Sequence, residues 1–268
     1  MPYRHLDADA VRTHLAALAP AFDLVVVDRC ASTNTSLVEA PPFDDGRIHV
    51  LVAELQTAGR GRRGRQWLSW KGASLNFSAM WRFAPAAPVP AGLSLVAGIA
   101  VAATLEKLGI AGVQLKWPND ILVHGEKVAG ILVELVPGRG RTPAAVVGIG
   151  INLRLPPGTS IPDQTQATDL ASHLDALPDR NLLLATLLAE LHAMFETYAA
   201  AGFPALRGAW EQRNAHANLP VTITGEGTEL RGVCAGVDED GALLVRTDAG
   251  TVRILSGEVS LRVDRCSC

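Results

Sequence analysis

Short apolar segments separated by turn residues dominate the first half of the chain, and this pattern predicts a β-sheet. The third of these segments places an apolar residue at every second position, at Leu75, Phe77, Ala79, Trp81 and Phe83. A period of two predicts a half-buried strand, with one face toward the core. The strand candidates span 24–28, 48–54, 75–83, 113–117, 128–135 and 144–153.

Three segments have the pattern of helices instead. Residues 8–18 are amphipathic, and 93–108 are small and apolar throughout, which predicts a helix buried against the sheet. Residues 180–201 carry an apolar stripe at every fourth position, which we interpret as core. That stripe consists of Leu183, Leu187, Leu191 and Phe195. Strand-like and helical segments in the same chain predict a fold that contains both.

The chain changes character after Trp210, where short strand-like runs alternate with glycines and predict a small all-β unit. Asp240-Gly241 is a typical hairpin turn, since glycine tolerates positive φ. We place the domain boundary near 214–218, giving an N-terminal domain at 1–216 and a β domain at 217–268. The predicted strands of the β domain are 220–224, 230–237, 242–247, 251–256 and 259–263.

Composition narrows the classes of protein. The 268 residues are 48% apolar and carry a formal charge of −3, so the chain can bury a large core and lacks the basic excess of a non-specific nucleic-acid binder. We recognise neither a signal peptide nor a membrane-spanning apolar stretch. The four irregularly spaced cysteines predict no disulfide framework and favour the cytoplasm. We expect no metal role for Cys266 and Cys268 in the tail.

The segment GRGRRGR at 59–65 is the sharpest local feature, because no Asp or Glu occurs between Glu54 and Glu106. Glycine lets backbone N–H groups approach an oxyanion, and arginine binds phosphate or carboxylate oxygens with two donors. The segment therefore predicts an anion site. A solvated basic loop, or a nucleic-acid contact, is the alternative.

The same glycines match G-x-G-x-x-G, the dinucleotide-binding fingerprint, but the context excludes that fold. Strand-like alternation follows instead of a helix, and the acidic residue expected about 20 positions later is absent. The chain also lacks the P-loop sequence, a G-x-S-x-G elbow and an H-x-x-x-H pair.

KWPND at 116–120 and KVAGILVEL at 127–135 place a carboxylate and an ammonium at strand ends, at Asp120 and Lys127. Such a pair could position Mg²⁺ beside a phosphate, although Pro-Asn-Asp also suits a plain turn. Ser32-Thr33-Asn34 could cap a helix and offer donors and acceptors to a small polar head group. GIGIN at 148–152 ends a strand with glycines that permit close approach of a ligand ring.

Taken together and in this order, these motifs resemble those of the biotin protein ligases. The resembling segments are STN (32–34), QTAGRGRRGRQW (56–67), KWPND (116–120), KVAGILVE (127–134) and GIGIN (148–152). The resemblance covers roughly residues 24–264. It implies that the domain at 1–216 is the biotin- and ATP-binding catalytic domain, with an α+β fold in which helices flank a central mixed β-sheet. This is the class II synthetase-like, biotin–lipoate ligase fold, and a C-terminal SH3-like β-barrel follows it.

The resemblance also implies the reaction. Biotin and ATP, with Mg²⁺, give biotinyl-5′-adenylate and pyrophosphate, and the biotinyl group then passes to a lysine of a biotin carboxyl carrier domain, such as that of acetyl-CoA carboxylase. Repressor members of the family carry an N-terminal helix-turn-helix domain. Only about 23 residues precede the first strand here, so we expect no DNA binding. Homodimerisation and the role of the C-terminal domain stay open.

The resemblance further implies residue roles. Lys127, Arg62 and Asp120 would be catalytic, with Asp120 as the Mg²⁺ ligand. Biotin would contact Ser32, Thr33, Asn34, Gln56, Arg60, Gly61, Arg62, Lys127 and Gly130. ATP and the adenylate would contact Arg60, Arg62, Arg65, Trp67, Lys116, Asn119 and Asn152. We expect the Gly/Arg loop to be mobile without ligand and to close over the adenylate.

Two alternatives remain at this stage. A lipoate ligase or octanoyltransferase could use the same scaffold, with Cys30 as a thiol nucleophile, but no histidine in the matched motifs serves as its base. A binding module using the arginine loop to contact RNA would show steep salt dependence and no pyrophosphate release.

Overall fold

The computed structural model describes residues 5–83, 91–136, 144–159, 166–225, 228–255 and 259–263. A seven-stranded sheet forms its centre, in the order β1-β2-β3-β7-β6-β5-β4. β1 and β2 are parallel and every other neighbouring pair is antiparallel, so the sheet is mixed as predicted. Its strands are β1 (Phe22–Cys30), β2 (Ile48–Gln56), β3 (Ser74–Arg82), β4 (Val113–Lys116), β5 (Asp120–Val123), β6 (Glu126–Val136) and β7 (Ala144–Asn152).

Within the described residues, five α-helices accompany this sheet: α1 (Ala8–Leu15), α2 (Thr33–Glu39), α3 (Leu93–Lys107), α4 (Arg180–Ala201) and α5 (Pro204–Glu211). The apolar residues of α3 and α4 join one face of the sheet in the main core. The predicted α4 stripe of Leu183, Leu187, Leu191 and Phe195 is buried in that core. By length and composition α4 could also span a membrane, but its packing is that of a core helix.

The structure corrects three details of the prediction. The first helix ends at Leu15 and continues as a 3₁₀ turn, Ala16–Ala21, with Pro20 inside it. The short strand β5 and helix α5 were not predicted. The half-buried interpretation of β3 was wrong, because Ser74, Asn76 and Ser78 on its polar face are at most 1% exposed. The periodicity identified two faces correctly, but the second face is covered by protein and not by solvent.

The C-terminal part forms a separate five-stranded antiparallel sheet in the order β11-β10-β9-β8-β12. Gly241 has a φ of 78° in the turn between β9 and β10, as the hairpin signal predicts. The SH3-like description and the boundary at 216/217 stay predictions. The strands are β8 (Pro220–Gly225), β9 (Thr228–Val237), β10 (Leu243–Thr247), β11 (Gly250–Ile254) and β12 (Val259–Val263).

Direct contacts join the C-terminal sheet to the KWPND turn. The indole of Trp117 is buried and donates a hydrogen bond to the carbonyl of Gly241 at 3.1 Å. Glu211, at the end of α5, accepts a hydrogen bond from the backbone N–H of Val237 at 2.8 Å. The C-terminal sheet therefore contacts a segment that also lines the cavity described next.

Candidate functional site

A cavity of about 810 Å³ lies on the sheet face opposite α3 and α4. Of the residues proposed from sequence, it brings fourteen to its lining: Ser32, Thr33, Asn34, Gln56, Arg60, Gly61, Arg62, Arg65, Trp67, Lys116, Asn119, Asp120, Lys127 and Gly130. These residues come from segments almost 100 positions apart. The tertiary structure therefore brings the predicted motifs into one site.

Glycines on adjacent strands make the floor of this cavity. Gly130 on β6 is paired in register with Gly150 on β7, and Gly150 is paired with Asn76 on β3. A Cβ on Gly150 would lie 2.3 Å from the indole of Trp67, so no side chain fits there while Trp67 keeps its place. The indole Nε1 donates to the Asn76 carbonyl oxygen at 2.8 Å. The glycines thus permit a flat aromatic ring to lie directly on the sheet.

A buried polar network occupies one end of the cavity, where α2 begins. The Thr33 and Ser78 hydroxyls are 2.7 Å apart, and Ser78 donates to the Asn34 carbonyl oxygen at 2.7 Å. The backbone N–H of Thr33 donates to Gln56 Oε1 at 2.7 Å. Since the Gln56 oxygen is used internally, its amide N–H₂ group is the part that can donate to a ligand.

The start of α2 explains why these residues are ordered. Ser32 is the N-cap of α2, and its hydroxyl accepts a hydrogen bond from Thr35 N at 3.4 Å. The capping interpretation and the ligand-binding interpretation of Ser32-Thr33-Asn34 are therefore compatible, because capping holds the segment against the cavity. Ser32, Thr33 and Asn34 are each 3% exposed.

Glu134 on β6 connects this polar network to the arginine loop. Its Oε2 accepts from the Asn34 amide at 2.8 Å, and its Oε1 lies 3.0 Å from Nη2 of Arg60. Sequence reasoning missed Glu134, which appeared only as a strand residue. It also missed Asn76 and Ser78, because their alternation with apolar residues was interpreted as a solvent face.

The Gly/Arg loop is a compact turn. Arg60 and Gln66 form a β-bridge, and Gly61 N donates to Arg65 O at 2.8 Å. Arg63, with a φ of 58°, takes the left-handed conformation at the tip. The loop places Arg62 on the cavity, where its Nη1 lies 3.4 Å from Asn119 Oδ1.

The KWPND turn and β6 place charged groups at the other end of the cavity. Lys127 Nζ lies 2.6 Å from Asp120 Oδ1 and 5.9 Å from the centroid of the Trp67 ring. Lys127 is 9% exposed, so its ammonium is largely removed from water while paired with a carboxylate. Asn119 is held by a hydrogen bond from its Nδ2 to Ile131 O at 2.8 Å. This end of the cavity can bind an anion between Lys127 and the arginines.

Asn152 is the exception among the predicted site residues. Its side chain is buried and donates to the Thr168 carbonyl oxygen at 3.0 Å, and Asn152 is not part of the cavity lining. The predicted contact of Asn152 with a nucleotide stays a prediction.

Neither a cysteine nucleophile nor a metal-binding cluster is favoured by the described residues. Burial raises the pKa of the Cys30 thiol, which disfavours the thiolate required of a nucleophile. Within the described ranges, no group of three or more His, Cys, Asp and Glu side chains could hold a metal ion. Cys266 and Cys268 lie outside the described residues.

Comparison with known families gives two matches. Residues 27–152 match the Biotin/lipoate A/B protein ligase family, and residues 216–262 match the Biotin protein ligase C terminal domain. Both matches agree with the segments whose motifs carry the resemblance.

Curated relatives and solved structures point the same way. The chain is 40% identical to the Escherichia coli bifunctional ligase/repressor BirA over 79% of this chain and 65% of that protein's length. It is 36% identical to the Paracoccus denitrificans biotin--[acetyl-CoA-carboxylase] ligase over 86% of this chain and 97% of that protein. The fold is similar to that of biotin protein ligase from Aquifex aeolicus in complex with biotin and ATP, with a TM-score of 0.76 and 33% sequence identity. The match covers 90% of this chain and 99% of the Aquifex aeolicus chain.

Proposed function

The chain belongs to the biotin protein ligase family, and we propose that its cavity activates biotin with ATP and transfers the biotinyl group to a lysine of a carrier domain. The observation that carries the proposal is the joining of two chemically different ends in one cavity. One end is a buried network of hydroxyl and amide groups, and the other holds Lys127, Asp120 and arginines. A ligand with a polar head and a carboxylate tail matches both ends.

The polar end suits a ureido group. A ureido ring offers two N–H donors and one carbonyl acceptor, and Thr33, Asn34 and Gln56 with Ser78 supply both kinds of partner. Lipoate and octanoate end in groups that satisfy none of these partners, and a buried polar group without a partner costs about 1–3 kcal/mol. This network therefore favours biotin over the lipoate alternative.

The charged end suits adenylate formation. The biotin carboxylate attacks the α-phosphorus, a new C–O–P linkage forms, and the bond to the β-phosphate breaks to release pyrophosphate. Two anions approach each other in this step, so cations placed at the reacting oxygens lower the barrier. In this proposal Lys127 contacts the carboxylate and the α-phosphate, held in place by Asp120, and Arg60, Arg62 and Arg65 bind the phosphates.

The charged end of the cavity offers one carboxylate ligand for Mg²⁺. Mg²⁺ is usually held by one or two carboxylates with substrate phosphates and water completing its shell, and Asp120 lines the cavity as one such carboxylate. When bound, Mg²⁺ would neutralise phosphate charge. Asp120 also orients the Lys127 ammonium, whatever else it binds.

The second step transfers the acyl group. A neutral lysine amine of the carrier domain attacks the mixed-anhydride carbonyl, the C–O bond to AMP breaks, and one proton is released. Water must stay away from the adenylate meanwhile, which the Gly/Arg loop and Trp67 can ensure by covering it. We propose that the carrier belongs to a biotin-dependent carboxylase and that the reaction takes place in the cytoplasm.

Calorimetry tests the substrate class directly. Biotin, lipoate and octanoate are each titrated with and without a non-hydrolysable ATP analogue. We expect binding heat for biotin and none for lipoate or octanoate, and we expect the analogue to increase the affinity for biotin. Pyrophosphate release with Mg·ATP and labelling of a carrier domain complete the test. Tight lipoate binding, or no labelled carrier, would contradict the proposal.

Lys127→Ala tests the charged end. We expect a folded protein that still binds biotin through the polar network but loses pyrophosphate release by at least about a hundredfold, because the charge acts where phosphate charge accumulates. Lys107→Ala is the matched control, since Lys107 is a well exposed lysine paired with Glu190 outside the cavity. Normal pyrophosphate release by folded Lys127→Ala would refute the assigned role.

A further inference from the structure

His216 lies in the wall of the same cavity, and no sequence motif drew attention to it. The residue is 7% exposed. Nδ1 is fully buried without a partner. An unpaired buried polar group is costly, so its retention beside a ligand cavity calls for a functional explanation.

The backbone around His216 is held firmly beside β4. Leu115 N donates to Arg213 O at 2.7 Å, and Ala215 N donates to Leu115 O at 2.9 Å, which forms a short parallel bridge. His216 N donates to Asn214 Oδ1 at 3.0 Å. This arrangement sets the imidazole next to Lys116, which also lines the cavity.

The ring is a neutral donor at physiological pH. Burial, and secondarily the positive charge of Lys116, lower the pKa of His216 to about 4. A proton on Nε2 avoids a buried unpaired N–H at Nδ1, so the neutral tautomer carries its donor on the other edge of the ring. The site thus combines an ammonium with a neutral N–H donor.

The Lys116 ammonium and the His216 N–H donor together favour binding of an anion. They disfavour the positively charged lysine of the carrier domain, which must also reach the cavity. Lys116 is paired in register with Asp120 across β4 and β5, and Asp120 contacts Lys127. The groups therefore follow one another along the wall, from Lys127 through Asp120 and Lys116 to His216. A triphosphate whose α-phosphate lies at Lys127 has room in the cavity to extend along this wall toward Lys116.

We propose that His216, together with Lys116, binds the β- and γ-phosphates of ATP and the pyrophosphate that leaves. The inference rests on the proposed adenylate formation, and it adds His216 to the arginines as a residue that binds the phosphates that leave. His216 acts by binding and makes or breaks no covalent bond.

His216→Phe removes the donor and keeps a buried ring. We expect KM for Mg·ATP and the inhibition constant for pyrophosphate to rise together by about tenfold, in line with loss of a hydrogen bond to a charged group. The affinity for biotin stays unchanged. Transfer from purified biotinyl-adenylate to a carrier domain also stays unchanged, because pyrophosphate has left by then.

Two further variants sharpen the comparison. His216→Gln restores an N–H donor and should recover part of the pyrophosphate affinity. His192→Phe is the matched control, because His192 contacts Phe22 and Trp81 on the core side of the sheet and does not line the cavity. It should leave both constants as in the unmodified enzyme.

A measurement on the unmodified protein removes the dependence on variant folding. The unmodified protein is titrated with pyrophosphate alone, and the histidine ring nitrogens are monitored by ¹⁵N NMR. We expect the His216 Nε2 resonance to shift as pyrophosphate saturates the site. An unshifted resonance, an unaltered KM for ATP in folded His216→Phe, or an equal loss in both half-reactions would overturn the proposal. If the unmodified enzyme forms no adenylate at all, the proposed function fails instead.

Discussion

Glu134 forms an ion pair with Arg60, with Oε1 of the carboxylate 3.0 Å from Nη2 of the guanidinium. The second carboxylate oxygen accepts from the Asn34 amide at 2.8 Å, so one side chain contacts both the polar end of the cavity and the Gly/Arg loop. Glu134 is well placed to orient Asn34, because it uses the amide N–H₂ and leaves the Asn34 oxygen for Ser78.

Glu134→Ala should therefore weaken biotin binding by about tenfold, since the Asn34 amide loses its charged hydrogen-bond acceptor. Glu134→Gln keeps an acceptor for Asn34 but loses the charge opposite Arg60, and should change biotin affinity only about twofold. Calorimetry with biotin distinguishes the two variants. Equal losses in both would show that the charge on Glu134, and not its acceptor oxygen, matters for biotin.

Gly150→Ala should disrupt the cavity floor. The new Cβ would collide with the Trp67 indole, which must move and lose its hydrogen bond to Asn76. We expect about 1–3 kcal/mol of destabilisation together with a loss of biotin affinity. Urea denaturation and calorimetry measure the two effects.

Gly208→Ala is the matched control for that experiment. Gly208 lies in α5, and a Cβ there meets no atom within 4 Å. Alanine is the better helix former, so this variant should be neutral or stabilised by up to about 1 kcal/mol. A Gly150→Ala protein that behaves like the control would contradict the close packing of Trp67.

Glu54 and Arg180 form a buried ion pair that ties α4 to β2, with 2.9 Å between Oε2 and Nη1. The Glu54 side chain is 1% exposed and also accepts from Leu6 N at 2.7 Å. Glu54→Ala should cost about 3–5 kcal/mol of unfolding free energy, because it leaves a buried guanidinium without its carboxylate.

The pair Arg231–Glu229 is the natural comparison, since its side chains are 72% and 51% exposed. Glu229→Ala should change stability by less than about 1 kcal/mol, because solvent screens an exposed pair. Urea denaturation measures the free energy of unfolding of both variants. Similar losses of stability in Glu54→Ala and Glu229→Ala would show that burial does not dominate the effect.

His216 also predicts a dependence of stability on pH. Its folded-state pKa of about 4 is below the ordinary value of 6.5, so between these values the unfolded chain binds the proton and the folded chain does not. This histidine therefore lowers stability as pH falls from about 6.5 toward 4.

The difference between His216→Phe and the unmodified protein isolates this effect from the titration of carboxylates. The variant should gain about 2 kcal/mol relative to the unmodified protein when the pH is lowered from 7 to 4.5. Urea denaturation at the two pH values measures it. A constant difference would mean that His216 titrates normally in the folded state.

The sequence alone determined the mixed sheet, most of its strands, the helices at 93–108 and 180–201, and the family. Periodicity indicates which residues share a face. Local motifs such as GRGRRGR and KWPND indicate an anion site and a carboxylate at a strand end, because the residue types themselves carry that chemistry. Of the fifteen site residues proposed from these motifs, fourteen line one cavity, and Asn152 is the one that is not part of the lining.

The tertiary structure alone decided what covers each face and which distant groups meet. Period-two alternation in β3 could not distinguish solvent from a buried polar floor, so Asn76 and Ser78 were overlooked. Glu134 and His216 carry no local signal, because their significance depends on partners far away in sequence, Asn34 for the first and Lys116 for the second. Burial and proximity arise only when strands pair, and a pattern of neighbouring residues does not contain them.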